Sequence, residues 1–200
     1  MGLLVPLLLQ LTLPLDLGSS ARDQAVAELS QKATSYEKAE TLLHRKLVLD
    51  HLVSIQQQPF RYQNAPTLTS SGQPLLIHLW SVHCPPCLKE MPELVTLFSG
   101  LREDSSIRTI LLTEDSLDTL EEYLTRAPAS LPPADLYVAG AASHLRTTIQ
   151  QAPLPLTLLV DGHMVIRHAF VGSINHRRND LLSAIERLCS SLGAACRRAH

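Results

Sequence analysis

Short apolar runs alternate with helix-periodic stretches through the second half of the chain. Leu75 to Trp80, Ile107 to Thr113 and Leu156 to Val160 are dominated by leucine, isoleucine and valine and end at polar or turn-forming residues. Runs of this length and composition read as strands buried on both faces, the pattern of a central sheet covered by helices. Leu136 to Val138 reads as a shorter strand. Met164 to Phe170 follows Leu156 to Val160 across Asp161-Gly162, a turn dipeptide between apolar runs, so the two predict a hairpin. Between the strands the apolar spacing changes to the helical period. Pro85 to Leu101 is one such helix, and Ala142 to Gln150 predicts a short one. Asp115 or Ser116 caps another, with Leu117, Leu120 and Leu124 on one face. Asn179 to Leu192 closes the series, with Leu182, Ile185, Cys189 and Leu192 on one stripe. The whole predicts an α/β fold with no internal repeat.

The first half reads differently. Leu3 to Leu15 is apolar with two prolines, and small residues follow at Gly18 to Ala21. This resembles the hydrophobic part of a secretory leader, although the first cationic side chain is Arg22 and no positive segment precedes it. The run is shorter than the about 20 apolar residues of a comfortable membrane span. Residues 1–20 are therefore expected to be a leader or a hydrophobic segment packed on the domain. From Ala21 to about Gln58 no Gly or Pro interrupts, and Leu29, Ala33, Tyr36, Leu43 and Leu47 keep helical spacing. That predicts a helical extension over 21–60, packed on its own domain or docking a partner, ahead of a catalytic domain over 61–200.

Composition narrows the function classes. Two hundred residues with 45% hydrophobic content support one ordinary core plus an extension. The formal charge of −2, with no basic cluster interleaved with aromatics, argues against nucleic acid as a partner.

The chemistry sits in Trp80-Ser81-Val82-His83-Cys84-Pro85-Pro86-Cys87, directly after a predicted strand. Pro85 suits a first helical position, where its missing N–H costs nothing, and it pushes Cys84 out of the α region into the N-cap. Cys87 then falls at the third helical position, whose N–H is the usual partner of an N-cap side chain. A Cys84 thiolate would accept that bond and feel the positive end of the helix dipole. One activated thiol and a second three residues on can make and resolve a mixed disulfide, with no cofactor beyond the two sulfurs.

The segment LWSVHCPPCLKEMP, Leu79 to Pro92, resembles the active site of the TlpA/ResA group of extracytoplasmic thiol–disulfide oxidoreductases, which have the thioredoxin fold. Trp80 matches the group's tryptophan and Pro92 the proline that kinks its active-site helix. Pro153 to Gly162 resembles the second signature, a proline opening a buried strand that ends in Asp-Gly. The resemblance covers roughly Ala65 to Leu192. It implies a thioredoxin-like α/β fold with a central mixed sheet, catalytic Cys84 and Cys87 forming a redox-active disulfide, and Pro155 as the cis-proline beside them. Trp80 would pack beneath the substrate groove. It implies exported thiol or disulfide proteins, such as apocytochrome c, as partners, with an upstream electron donor that could be a membrane protein, and a location in the bacterial periplasm or tethered to the membrane.

Two positions depart from the group. His83 stands where a second aromatic is common, either as an exposed turn residue or as an imidazolium favouring the Cys84 thiolate. His78 stands six residues before Cys84, where relatives carry a buried Asp, Asn or Glu. It is either a satisfied core histidine or a group that moves a proton to or from Cys87. Cys189 and Cys196 are about 10 Å apart on a continuous helix, beyond disulfide reach, but Gly193 could end that helix and let the two pair. Cys189 as a plain core residue and the pair as a second redox centre are the other readings. The rival function is Cu(I) binding or delivery through His83, Cys84 and Cys87; zinc would need a fourth ligand, such as His163 or His168. A non-catalytic interaction domain is the third class, opposed by the intact cysteine pair.

Overall fold

The computed structural model describes residues 19–57, 60–67, 72–103, 107–127, 131–149 and 152–193. In chain order these form α1 (Ser19–Leu42), β1 (Asp50–Gln57), β2 (Phe60–Thr67), β3 (Leu75–Trp80), α2 (Pro85–Glu103), β4 (Arg108–Thr113) and α3 (Leu117–Arg126). They continue with β5 (Asp135–Ala139), α4 (Leu145–Ile149), β6 (Leu156–Val160), β7 (Ile166–Val171), a 3-10 turn (Asn175–Arg177) and α5 (Arg178–Leu192). Residues 1–18, on which the expected leader falls, and Cys196 lie outside the described residues. No helix among the described residues is long and apolar enough to cross a membrane.

The strands form one mixed sheet in the order β2-β1-β5-β4-β3-β6-β7. β3, β4 and β5 run parallel, joined through α2 and α3, while β6 lies antiparallel to β3 and β7 to β6. Every residue of β3 and β6 is buried, as their unbroken apolar runs predict. Because side chains alternate across a strand, the sheet separates two cores. One holds Leu76 and Trp80 with Met91, Leu94 and Phe98 of α2, Leu120 and Leu124 of α3, and Leu181 and Ile185 of α5. The other holds Leu75, Ile77 and Leu79 with Ala39 and Leu42 of α1 and Leu145 and Ile149 of α4. The stripe on α5 is rotated from expectation. Leu181, Ala184, Ile185 and Leu188 are buried, while Leu182, Cys189 and Leu192 flank them.

The helical extension expected over 21–60 is shorter than predicted. α1 stops at Leu42, and 50–57 form β1, which pairs with β5 on one side and β2 on the other. The sheet therefore begins before residue 61. The stop has no Gly or Pro to announce it. His44 takes the left-handed conformation (φ 64°) in which helices commonly end, and the Arg45 side chain donates to the freed Thr41 carbonyl at 2.7 Å. His44 N–H then donates to the Ile166 carbonyl and Leu47 N–H to that of Met164, tying the segment after α1 to the β6–β7 hairpin.

Candidate active site

β3 delivers the chain to the C-terminal edge of the sheet, where a clamped turn connects it to α2. Asp115, just past β4, builds that turn. One carboxylate oxygen accepts from Ser81 Oγ at 2.7 Å; the other accepts from Val82 N–H at 2.8 Å and from Thr113 Oγ1 at 2.8 Å. Ser81 Oγ in turn accepts from His83 N–H at 3.0 Å, and Cys84 N–H donates to the Ser81 carbonyl. Sequence reasoning saw Asp115 only as a helix cap, a role that Ser116 fills. Its work on the turn depends on a neighbouring parallel strand, which no local pattern reports.

α2 begins at Pro85, and Cys87 N–H points at Cys84 Sγ, 3.2 Å away, as the capping argument requires. The two sulfurs are joined in a disulfide with Cα atoms 5.2 Å apart. Cys84 is half-buried and Cys87 has no exposure at all. Trp80 is buried in the same cluster as Cys87, its ring 5.7 Å from that of Tyr123 and tilted by 59°. Pro92 lies inside α2. The Leu154–Pro155 peptide bond is cis, and the buried Pro155 follows Leu154 into β6. Leu79 pairs with Leu156 in the β3–β6 ladder, so Pro155 stands opposite Trp80, where the cysteine turn begins. Its carbonyl accepts from Gly172 N–H at 2.8 Å. His83 is exposed, and no hydrogen bond or ion pair joins its imidazole to another described residue.

His78 is fully buried on the same sheet face as Trp80. Its Nδ1 lies 2.9 Å from Oγ1 of Thr157, the residue opposite it in the β3–β6 ladder. Nε2 lies 3.3 Å from Oε1 of Glu90, close enough for an ion pair though without hydrogen-bond alignment. Glu90 is also fully buried, and its Oε2 accepts from Ile174 N–H at 3.0 Å. Sequence reasoning missed Glu90, because a lone glutamate beside Lys89 on a helix reads as solvated. The available signal was its place three residues after Cys87 and just before Met91 and Leu94, on the inward face.

Cys189 is held in a disulfide. The partner expected for it, Cys196, lies outside the described residues. Among the described residues no group of three or more His, Cys, Asp or Glu side chains gathers closely enough to hold a metal ion.

No family model matches the chain. A curated relative, the thiol-disulfide oxidoreductase ResA of Halalkalibacterium halodurans, is 25% identical over 107 residues. That match takes in 53% of this chain and 58% of the relative, so the chain spans a little over half of the relative's length. Among solved structures, a thioredoxin-like protein from Porphyromonas gingivalis superposes with a TM-score of 0.52 at 15% identity, covering 74% of this chain and 95% of that one. A putative thiol:disulfide interchange protein DsbE from Chlorobium tepidum gives 0.51 at 15% identity, covering 76% and 99%. The chain is thus similar in sequence to ResA over that stretch, and it has the thioredoxin-like fold of the other two.

Proposed function

We propose that the chain is an extracytoplasmic thiol–disulfide oxidoreductase working through Cys84 and Cys87. The observation that carries this reading is the asymmetry of the pair: a half-exposed sulfur at a helix N-terminus bonded to a fully buried one. An incoming sulfur has access to Cys84 and none to Cys87. In the reducing direction the Cys84 thiolate attacks one sulfur of a substrate disulfide, forming a mixed disulfide and releasing the other substrate sulfur as a thiolate. Cys87 gives up its proton and attacks Cys84 Sγ, releasing the second substrate sulfur. The substrate has gained two electrons, and the Cys84–Cys87 pair has become a disulfide for an upstream dithiol donor to reduce. Cys87 N–H and the dipole of α2 favour the thiolate at Cys84. Glu90 lies one turn after Cys87 on the inward face of α2, against His78, and this pair is placed to take the proton that the buried thiol loses. Pro155 and Trp80 shape the groove, and His83 contributes to its exposed rim.

The substrates in this reading are exported polypeptides bearing disulfides, and the donor is a membrane protein. The apolar run from Leu3 to Leu15 and the resemblance of Leu79 to Pro92 to an extracytoplasmic group support that location. The copper reading requires both thiols free to act as ligands, whereas the two sulfurs are bonded to each other.

The test equilibrates the protein in glutathione buffers, counts free thiols with a mass tag and follows reduction of insulin disulfides by a dithiol. Wild type is expected to titrate as a two-electron couple and to accelerate insulin reduction. Cys84→Ser abolishes both, and Cys87→Ser traps a mixed disulfide through Cys84. A wild-type protein that neither titrates with glutathione nor accelerates reduction would overturn the assignment.

A further inference from the structure

Gly172 N–H, which bonds the Pro155 carbonyl, marks one end of a solvent-open groove between α1 and the turn after β7. Its floor includes Gly172 and Ser173, and its far wall is a stripe of α1 carrying Glu28, Gln31 and Tyr36. Residues 28, 31 and 35 follow helical spacing, so one face of α1 looks into the groove along two turns. Tyr36 is 56% exposed, although α1 packs beside β7 and buries Ala39 and Leu42 just beyond it. Its ring is held in place. The Arg177 guanidinium lies 6.0 Å from its centroid and 5.3 Å from that of Phe170, and the same guanidinium donates to the Val171 carbonyl at 2.8 Å. A positioned, exposed aromatic at the side of a groove is a ready surface for an apolar side chain. Gly172 (φ 85°) has open space where a Cβ would stand, leaving the backbone approachable.

We infer that this groove is a substrate subsite, in which the polypeptide flanking the target disulfide runs from Pro155 along Gly172 and lays a side chain on Tyr36. The inference rests on the oxidoreductase reading and adds to it a specificity surface on α1, which only a polypeptide substrate is long enough to reach. Continuity with the site decides the occupant. A chain whose sulfur is at Cys84 and whose backbone lies along Pro155 reaches Gly172 next, because the Pro155 carbonyl is hydrogen-bonded to it. The groove holds about 560 Å³, room for several consecutive side chains. A small disulfide that reacts at Cys84 does not extend this far. Tyr36 is thus a specificity residue supplied by the helix ahead of the sheet.

The experiment compares kcat/KM for two substrates of the full chain under a dithiol reductant: insulin and hydroxyethyl disulfide. Tyr36→Ala is expected to lower kcat/KM for insulin roughly tenfold, mainly through KM, and to leave the small disulfide within about twofold. Gln31→Trp, which fills the groove from an exposed helix position, should show the same selectivity. Glu37→Ala, off the groove, should change neither substrate. Unchanged insulin kinetics in both groove variants, or equal losses on both substrates, would overturn the subsite. Inactivity of the wild type on both substrates would instead sink the oxidoreductase reading, so the two failures are distinguishable.

Discussion

His78 and Glu90 bring two ionisable side chains, each without solvent exposure, to the inner side of the sulfur pair. Burying such groups is costly unless each satisfies the other, and taking one away strands its partner. His78→Leu takes away the nearest polar partner of Glu90 Oε1 while Oε2 keeps Ile174 N–H, and a buried polar group left unsatisfied costs about 1–3 kcal/mol. Glu90→Gln is milder, because an amide oxygen can still accept from Ile174 N–H. The two together should therefore unfold at a higher urea midpoint than His78→Leu alone, since the stranded carboxyl group is gone. Equal midpoints for the single and double variants would show that the carboxyl group is not what the histidine satisfies. The thiolate absorbance of the reduced protein gives an independent reading. If the pair takes the Cys87 proton, Glu90→Gln slows resolution of a mixed disulfide while leaving the first attack by Cys84 unchanged. At this scale the cysteines and the capping proline were legible from their immediate neighbours along the chain, and Pro155 through the resemblance of residues 153–162 to a known signature. Glu90 and Asp115 were not, because their partners are 84 and 34 residues away.

Among the elements, the β6–β7 hairpin shows how a turn read from two residues acquires a pH dependence the sequence does not display. Asp161 is buried, and that alone would raise its pKa. The N–H groups of Val165 and His163 and the Arg167 guanidinium outweigh burial and hold it below its ordinary 3.8. A carboxylate with a depressed folded-state pKa stabilises the fold above its unfolded value and loses that contribution as pH falls through the folded value. His168, within β7, is shifted down from 6.5 by burial and then by the Arg187 charge. The folded state thus prefers neutral imidazole, and stability falls as pH drops below about 6.5, until the folded form also takes the proton. The urea midpoint should therefore decline in two stages on acidification, the first starting near pH 6.5 and the second below about pH 4. His168→Gln should remove the first and Asp161→Asn should shrink the second, which Asp50, lowered to about 2 by the His144 backbone and ring, shares. A midpoint flat from pH 7 to 5 in wild type would refute the role of His168. This hairpin, β3 and β4 were legible because each is a dense apolar run with a clear turn or helix beside it. β1 was not. Its buried Leu52 and Ile55 are three residues apart, a spacing that also fits a helix, and no Gly or Pro marks the end of α1 at Leu42.

For the whole molecule, the sheet divides the labour between its faces. The sulfur pair, Trp80, His78 and Glu90 all belong to the face covered by α2, α3 and α5, while α1 and α4 brace the other. α1 enters the core at its C-terminal end. Ala39 and Leu42 enter the second core, and residues 44–47 hydrogen-bond the hairpin, whereas Leu29 and Tyr36 remain 39% and 56% exposed. The last turn of the helix is therefore built into the core, and the stretch from Glu28 to Tyr36 forms a wall of the groove. The division predicts unequal costs of truncation along one helix. Leu42→Ala removes a side chain that is 1% exposed, and such losses in a packed core run to about 2–5 kcal/mol. Leu29→Ala falls among exposed changes, which stay within about 0.5 kcal/mol. Urea unfolding of both variants, read by the single tryptophan Trp80 in the opposite core, reports whether the second core and the redox face unfold together. One cooperative transition shifted only by Leu42→Ala makes the helix end an integral part of the fold. A comparable loss from Leu29→Ala would mean that the outer turns are themselves packed, and the open wall proposed for the substrate would close.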